Sequence, residues 1–271
     1  MRVKRLALIA LIPLLLSAQT RTAFELASIR PSSADDTRRP QIQFLPGNRL
    51  IAVNYPLLML IGAAWQVPFN QSPRMTGVPD WAGSTRYNIS AQAGKGSIKP
   101  GLPPRERNDA MRRMLQNLLI ERFKLDLRHE TKELPVFGVV VGKGGLKLPK
   151  ADIDEKDCTD TCHQILGGEG RGLHADAATI ADLGRYVENW AERPVLDQTG
   201  VSGLFKIQTR GWTSLRPVPA AMAGAKAEDG TYVADLPTLF EVFETMGLKL
   251  EPQKATVDVY HVEHIEHPSE N

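Results

Sequence analysis

The segment RPVLDQTGVSGLFKI, residues 193–207, has an aspartate two residues before Thr-Gly, as in an aspartyl-phosphate nucleophile. In that chemistry the motif is Asp-Lys-Thr-Gly-Thr, whereas Gln198 follows Asp197 here and Val201 replaces the last threonine. Phosphoryl transfer also requires Mg²⁺ held by further carboxylates, and the sequence has no matching motif. A turn explains the same residues, because Asp and Thr side chains accept bonds from nearby amides and Gly200 tolerates a positive φ. We therefore predict that Asp197 is a turn residue.

The C-terminal sequence HVEHIEH, residues 261–267, contains the side-chain types that bind zinc or copper. The β-branched alternation before it predicts a strand, on which His261 and His267 would lie about 20 Å apart. One ion cannot bridge that distance, and His264 would point to the opposite face. We expect a solvated strand end and no metal site.

The two cysteines, Cys158 and Cys162, lie in DCTDTCH. Covalent haem attachment uses Cys-x-x-Cys-His, and this sequence has one residue too many. In an oxidising compartment two cysteines in a polar loop favour a local disulfide, with free thiols or an adventitious metal as the alternatives. We expect no cofactor.

Motifs for nucleophilic catalysis are absent from the sequence. Ser202 lacks the glycine spacing of a nucleophile elbow, and GKGG, residues 142–145, is too short for a phosphate loop and predicts a hairpin turn. Groups that could still act together as acids, bases or ligands are dispersed along the chain: His129, Glu130, His174, Asp197 and His264. Trp212 begins a Gly/Pro-rich loop, and if exposed it would be a contact residue for a partner or a sugar.

Hydrophobic periodicity predicts the same order of elements in the two halves of the chain. The first half reads as a strand NRLIAV, a helix capped by Asn54, a strand RYNISAQA, a helix over 105–123, and the strands FKLDLRHE and PVFGVVV. The second half reads as a strand RGLHA, a helix capped by Asp176, strands PVLD and LFKIQT, a helix over 236–246 stopped by Gly247, and the strands LKLEP and ATVDVYHVEHI. We infer an α+β fold of two related lobes, produced by duplication.

The predicted boundaries follow from this order. Residues 24–150 form the N-terminal lobe, 151–170 a cysteine-containing loop and 171–271 the C-terminal lobe. Further surface loops are predicted at 31–47, 94–104 and 211–233, where turn-forming residues are concentrated.

Residues 1–18 have the pattern of a secretory signal peptide: a basic start, an apolar run over 6–16 and a small-residue exit. The apolar run is too short to span a bilayer, and no later segment approaches the roughly 20 apolar residues that spanning requires. We expect an exported protein without a transmembrane segment after cleavage, with an uncleaved N-terminal anchor as the alternative. Removing 1–18 changes the formal charge from +2 to −1, with 30 basic and 31 acidic residues left. This balance excludes an electrostatic footprint for nucleic acid.

Several stretches together resemble a large paralogous family of exported, uncharacterised proteins from soil Acidobacteria: FELASIRPS, GVPDWAGSTRYNISAQA, LLIERFKLDLRHETKELPVFGVVVGKGGLKL, RPVLDQTGVSGLFKI and VEHIEHPSEN. Related domains are attached to membrane sensor-peptidases of the BlaR/MecR type. By analogy, the resemblance implies an extracytoplasmic sensing or interaction role and supplies no catalytic residues.

The sequence therefore favours a non-enzymatic binding or sensing module with an unknown protein or small-molecule partner in the cell envelope. Two alternatives remain open: a secreted hydrolase with a dispersed active site, and a structural envelope component that associates through exposed strand edges.

Overall fold

The computed structural model describes residues 22–68, 72–158, 161–213, 224, 226 and 230–268. The predicted signal peptide lies outside these residues. Within them the chain forms five helices and eleven strands in three sheets, which confirms the α+β fold. Among the described helices, none combines the length and apolar character needed to cross a bilayer.

The first half of the chain supplies six strands and three helices. The strands are β1 (Phe24–Pro31), β2 (Gln41–Leu45), β3 (Arg49–Pro56), β4 (Met75–Thr76), β5 (Arg86–Ala93) and β6 (Asp126–Val141). The helices are α1 (Leu57–Trp65), α2 (Asp80–Ser84) and α3 (Pro104–Phe123).

The second half adds five strands and two helices. The strands are β7 (Leu166–Gly168), β8 (Gly172–Ala178), β9 (Val195–Asp197), β10 (Phe205–Gln208) and β11 (Leu248–His264). The helices are α4 (Ile180–Val187) and α5 (Leu239–Thr245).

The three sheets have the strand orders β1-β5-β3-β2, β4-β11-β6-β9 and β10-β8-β7. The first sheet packs with α1 and α3 around one buried apolar core, and this unit is the first lobe. The third sheet packs with α4 and α5 around a second core, which forms the second lobe. The middle sheet runs between them.

The middle sheet is built on one long antiparallel ladder in which β6 pairs with β11 from Asp126↔His264 to Val141↔Leu248. At one end, Val262 of β11 belongs to the core of the first lobe. At the other end, Val139 of β6 and Leu250 of β11 belong to the core of the second lobe. Each long strand therefore contributes apolar side chains to both lobes.

Sequence patterning divides each of these strands in two, and that expectation was wrong. Pro135 and Pro252 lie inside continuous strands, opposite Lys254 and Phe137. Both prolines occur where the far side of their strand carries no third strand, since β9 pairs with β6 only at 137–139 and β4 pairs with β11 only at 260–261. A proline without an N–H is tolerated at such an edge.

The two halves use equivalent pairings. In the first, β4 follows α1 and adds in parallel to β11, and in the second β9 follows α4 and adds in parallel to β6. Likewise β3 pairs antiparallel with β5, and β8 with β10. A common order of elements is thus present, whereas duplication and the lobe boundaries predicted above remain predictions.

Asn54 does not cap α1, as the sequence suggested. It lies within β3 at a register shift and has a left-handed φ of 48°. Asn48, just before β3, is also left-handed, with φ 58°. Asparagine tolerates this conformation better than most residues. The buried amide Nδ2 of Asn54 donates to the carbonyls of Asp36 and Arg38, which ties the preceding loop to the sheet. That loop is also shorter than predicted, because β2 occupies 41–45.

The cap of α4 is Thr179 and not Asp176. β8 continues to Ala178, so Asp176 is an exposed strand residue. Thr179 Oγ1 accepts from the amide of Asp182, and the Asp182 carboxylate accepts from the amide of Thr179, which forms a reciprocal capping box. The predicted left-handed stop at Gly247 is confirmed, with φ +73°.

An ion pair joins the segment before β4 to the end of α4. The Arg74 guanidinium lies 3.2 Å from a Glu188 carboxylate oxygen, and the Arg74 carbonyl accepts from the Tyr260 amide. Glu188 is 4% exposed, and burial raises the pKa of its carboxyl above the ordinary value, while Arg74 opposes the rise. Arg74 therefore compensates a carboxylate that would otherwise be buried without a partner.

Replacing Arg74 by alanine should destabilise the protein by roughly 3 kcal/mol at pH 7, since it leaves Glu188 buried and unpaired. Loss of Arg74 raises the folded-state pKa of Glu188 further, so the penalty is largest when the group is ionised and shrinks as the pH falls towards 5. Chemical denaturation at both pH values measures the difference. The exposed Arg113→Ala variant is the control, and adding Glu188→Gln to Arg74→Ala should recover part of the loss. A penalty independent of pH would contradict this account.

Candidate ligand pocket between the lobes

Asp197 lies at the end of β9 and forms the predicted turn. Its Oδ1 accepts from the Thr199 amide at 2.9 Å and from Thr199 Oγ1 at 2.7 Å. Gly200 follows with φ +66°, and the chain re-enters as β10. The structure thus confirms the turn.

The C-terminal histidines lie on the predicted strand and just beyond it, and each contacts a different group. His261 Nδ1 lies 2.9 Å from Thr76 Oγ1, and His264 Nε2 lies 2.8 Å from Glu266. His267 stacks on Trp81 with ring centroids 4.0 Å apart. These contacts fasten the end of β11 to the first lobe. In the described part of the chain, no group of three metal-binding side chains is gathered.

The dispersed acids and bases also have separate partners. His129 pairs with Asp258 on the long ladder at 2.8 Å, and His174 contacts Gln208 at 2.7 Å on the third sheet. Glu130 pairs with Arg128 on its own strand. None of the five residues proposed for a hydrolase lines the cavity between the lobes that contains Arg112 and Arg185.

Trp212 was expected to contact a partner if it were exposed, and this expectation was wrong because the side chain is fully buried. Its ring meets Trp190 edge to face, with centroids 5.7 Å apart, in the core of the second lobe. A Cβ on the preceding Gly211 would lie 2.6 Å from the carbonyl carbon of Gly170. The backbone at residues 211–212 therefore packs directly against the backbone at Gly170. Of the loop predicted at 211–233, residues 214–223, 225 and 227–229 lie outside the described part.

In the structure a disulfide joins Cys158 and Cys162. Cys162 is buried in a small apolar cluster with Ala177 of β8 and Leu204. The next residue, His163, has a left-handed φ of 61°, and its amide donates to the Ala177 carbonyl at 2.7 Å. The disulfide therefore directly precedes the residue that turns into the space between the lobes.

His163 is held between two carboxylates. Its Nδ1 lies 2.6 Å from Asp182 Oδ2, and its Nε2 lies 3.0 Å from Glu155 Oε1. Each ring nitrogen of His163 thus lies within hydrogen-bond distance of a different carboxylate. Burial opposes ionisation of Asp182, but the hydrogen bonds from Thr179 and His163 outweigh it and keep the pKa of Asp182 below its ordinary value. These two contacts hold the His163 ring between Asp182 and Glu155.

A cavity of about 310 Å³ lies beside this pair, and we call it the interlobe pocket. Its walls come from the first sheet, from α1 and α3, and from α4 of the second lobe. The residues that line it include Ile42, Phe44, Met59, Arg112, His163 and Arg185. Most of the remaining wall is apolar or aromatic, including Val67, Pro68 and Tyr186. This combination of an apolar wall and a few charged groups is typical of small-ligand sites.

The two arginines approach the interlobe pocket from opposite lobes. Arg112, on α3, donates through Nη1 to Asp109 and lies 5.9 Å from the ring centroid of Phe44. Arg185, on α4, donates through Nη1 to Gln66 at 3.0 Å. Burial lowers the pKa of the Arg112 guanidinium, Asp109 opposes the change, and the neighbouring Arg185 lowers it further. Two arginine side chains, both partly shielded from solvent, thus line one pocket.

Sequence reasoning did not find this pocket. Arg112 and Arg185 occur in helices at positions typical of solvated residues, and no motif connects α3 with α4. The one local signal is Thr179-x-x-Asp182, a capping pattern that would have placed Asp182 in the first turn of α4 with Arg185 one turn later. Arg112 and Arg185 line one cavity only because the fold brings residues of two lobes to it.

A family model described as "Protein of unknown function (DUF3738)" matches residues 58–265, and the chain therefore belongs to this family. The match includes α1, α3, α4 and the whole long ladder. Comparison with curated proteins and with solved structures finds no match.

Replacing Asp182 by asparagine should lower the free energy of unfolding by about 1–3 kcal/mol at pH 7, because the new amide group faces the donors of Thr179 and His163. The folded-state pKa of Asp182 is depressed, so its contribution is complete above the ordinary value near 4 and is lost as the pH falls through the lower folded value. The variant and the wild type should converge in that acidic range. The exposed Asp176→Asn variant, measured by the same denaturation series, should change little; an equal loss there would refute the assignment.

The double variant Cys158→Ser with Cys162→Ser should lose about 2 kcal/mol or less, since the closed loop is short and constrains the unfolded chain weakly. Wild-type protein under reducing conditions should match the variant. The mass of the intact protein after alkylation without reduction checks the bond directly, and alkylation of both cysteines would contradict it.

Proposed function

We propose that this chain is an exported binding module whose interlobe pocket takes a small organic anion with an apolar body. The observation that carries the proposal is the approach of Arg112 and Arg185 to one apolar cavity. Export is supported by the signal-like pattern of residues 1–18.

Two guanidinium groups that line one pocket repel each other, and burial together with this repulsion lowers the pKa of Arg112 from its ordinary value. A carboxylate between them would accept charge-assisted hydrogen bonds from both, in the planar geometry that arginine offers. Asp182 cannot play this part, because Thr179 and His163 already donate to it and Arg185 Nη1 is 3.8 Å away.

The carboxylate of Asp109 does not block such a ligand. It binds Arg112 through one nitrogen, Nη1, and is 38% exposed, so water screens the pair. A guanidinium has five N–H donors, and among the described residues the hydrogen bonds of Arg112 use Nη1 alone. Donors remain for a second acceptor.

A binding role fits the chemistry of the site better than hydrolysis. His163 has carboxylates at both nitrogens, and the hydroxyl near it, Thr179 Oγ1, donates to Asp182 at 2.7 Å. A Ser or Thr nucleophile requires a base with a free nitrogen to take its proton. The residues around the pocket are suited to hold an anion in place.

Isothermal titration of the exported chain with decanoate tests the proposal. Arg112→Met and Arg185→Met should each weaken binding at least about tenfold, because each removes a charge-assisted hydrogen bond of about 1.5–3 kcal/mol. Arg113→Met, one residue along α3 and exposed, is the matched control and should bind as the wild type does.

On the ligand side, decanol should bind at least about tenfold more weakly than decanoate, because it offers the same apolar chain without the charge. Equal affinity for the two, or the same loss in Arg113→Met, would overturn the proposed anion site.

A further inference from the structure

The strand β2 is the outer strand of the first sheet, where the strand order ends at β3-β2. It pairs with β3 from Gln41↔Val53 to Leu45↔Arg49, and no described strand pairs with its other side. Such an edge presents main-chain N–H and C=O groups that can pair with an added strand.

The same strand forms a wall of the interlobe pocket. Ile42 and Phe44 both line it, as their alternate spacing on one face of β2 requires. A strand added to β2 continues the sheet, and its side chains on that face would point into the same space. One extended ligand could therefore pair its main chain with β2 and place a side chain in the interlobe pocket.

The size of the cavity restricts what enters it. Its volume of about 310 Å³ is at the small end of the roughly 300–1,000 Å³ typical of ligand pockets. It has room for a short apolar group and a carboxylate, and most of a longer ligand would lie outside. Arg112, close to the Phe44 ring, and Arg185 supply positive charge where the carboxylate would lie.

We propose that the occupant is the carboxyl-terminal segment of a partner polypeptide, added as a strand to β2. Its apolar last side chain fills the interlobe pocket, and its terminal carboxylate binds Arg112 and Arg185. This inference rests on the proposed anion site and names the class of ligand. The charge complementarity between two guanidinium groups and one terminal carboxylate carries it, with main-chain pairing along β2 holding the rest of the peptide.

The test uses fluorescein-labelled octapeptide pools, random at the first six positions and ending in Val-Leu, with either a free carboxylate or a C-terminal amide. Fluorescence anisotropy with the exported chain should show binding of the free-acid pool and at least tenfold weaker binding of the amide pool. Arg112→Met and Arg185→Met should reduce binding of the free-acid pool by a similar factor. Arg113→Met should not.

Hydrogen exchange identifies the surface that the peptide occupies. Amides in 41–45 should exchange more slowly with the free-acid pool, and pools N-methylated at alternate residues should lose both the binding and this protection. Binding without protection of 41–45, or equal binding of acid and amide pools, would overturn the inference. If decanoate binds with dependence on both arginines while no peptide pool binds, the peptide inference fails and the anion site stands.

Discussion

The long pairing of β6 with β11 is the constraint on which the rest of the molecule depends. β11 places Val262 in the first core and Leu250 in the second, and β6 likewise packs Leu127 against the first core and buries Val139 in the second. The middle of the ladder is itself apolar, with Val136, Val257 and Val259 buried together. One ladder thus connects both lobes, and Arg112 and Arg185 of the two lobes line the same pocket. The pocket is a product of this pairing and of no single element.

Much of the fold could be predicted from the sequence, because it is encoded locally. Apolar alternation locates β3 and β5, the stripe of Met111, Met114 and Leu118 locates α3, and Gly247 marks the end of α5. Errors arose where a tertiary contact overrides a local preference. Asn54 has the residue type of a cap but adopts a left-handed conformation inside a strand, where its amide holds a distant loop. Pro135 was predicted to begin a new strand, yet the ladder continues through it along an open edge.

The site is harder to predict than the fold, because its chemistry is not written in neighbouring residues. A search for motifs finds Asp197 and the C-terminal histidines, which the structure assigns to a turn and to contacts that hold β11. Arg112 and Arg185 are separated by 73 positions and belong to helices of different lobes. Trp212 illustrates the same difficulty, since it is buried against Trp190 in a core that its loop sequence does not reveal. The DUF3738 family model matches the residues of α3 and α4 but is of unknown function, so it assigns Arg112 and Arg185 no role.

The path of β11 also affects when the first lobe can fold. Val262 and Ile265 pack in the core of the first lobe, although they follow the whole of the second lobe in the chain. The first lobe therefore cannot complete its interior until Val262 and Ile265 have been synthesised. Contacts between residues so far apart in sequence make folding slow and leave apolar surface exposed meanwhile.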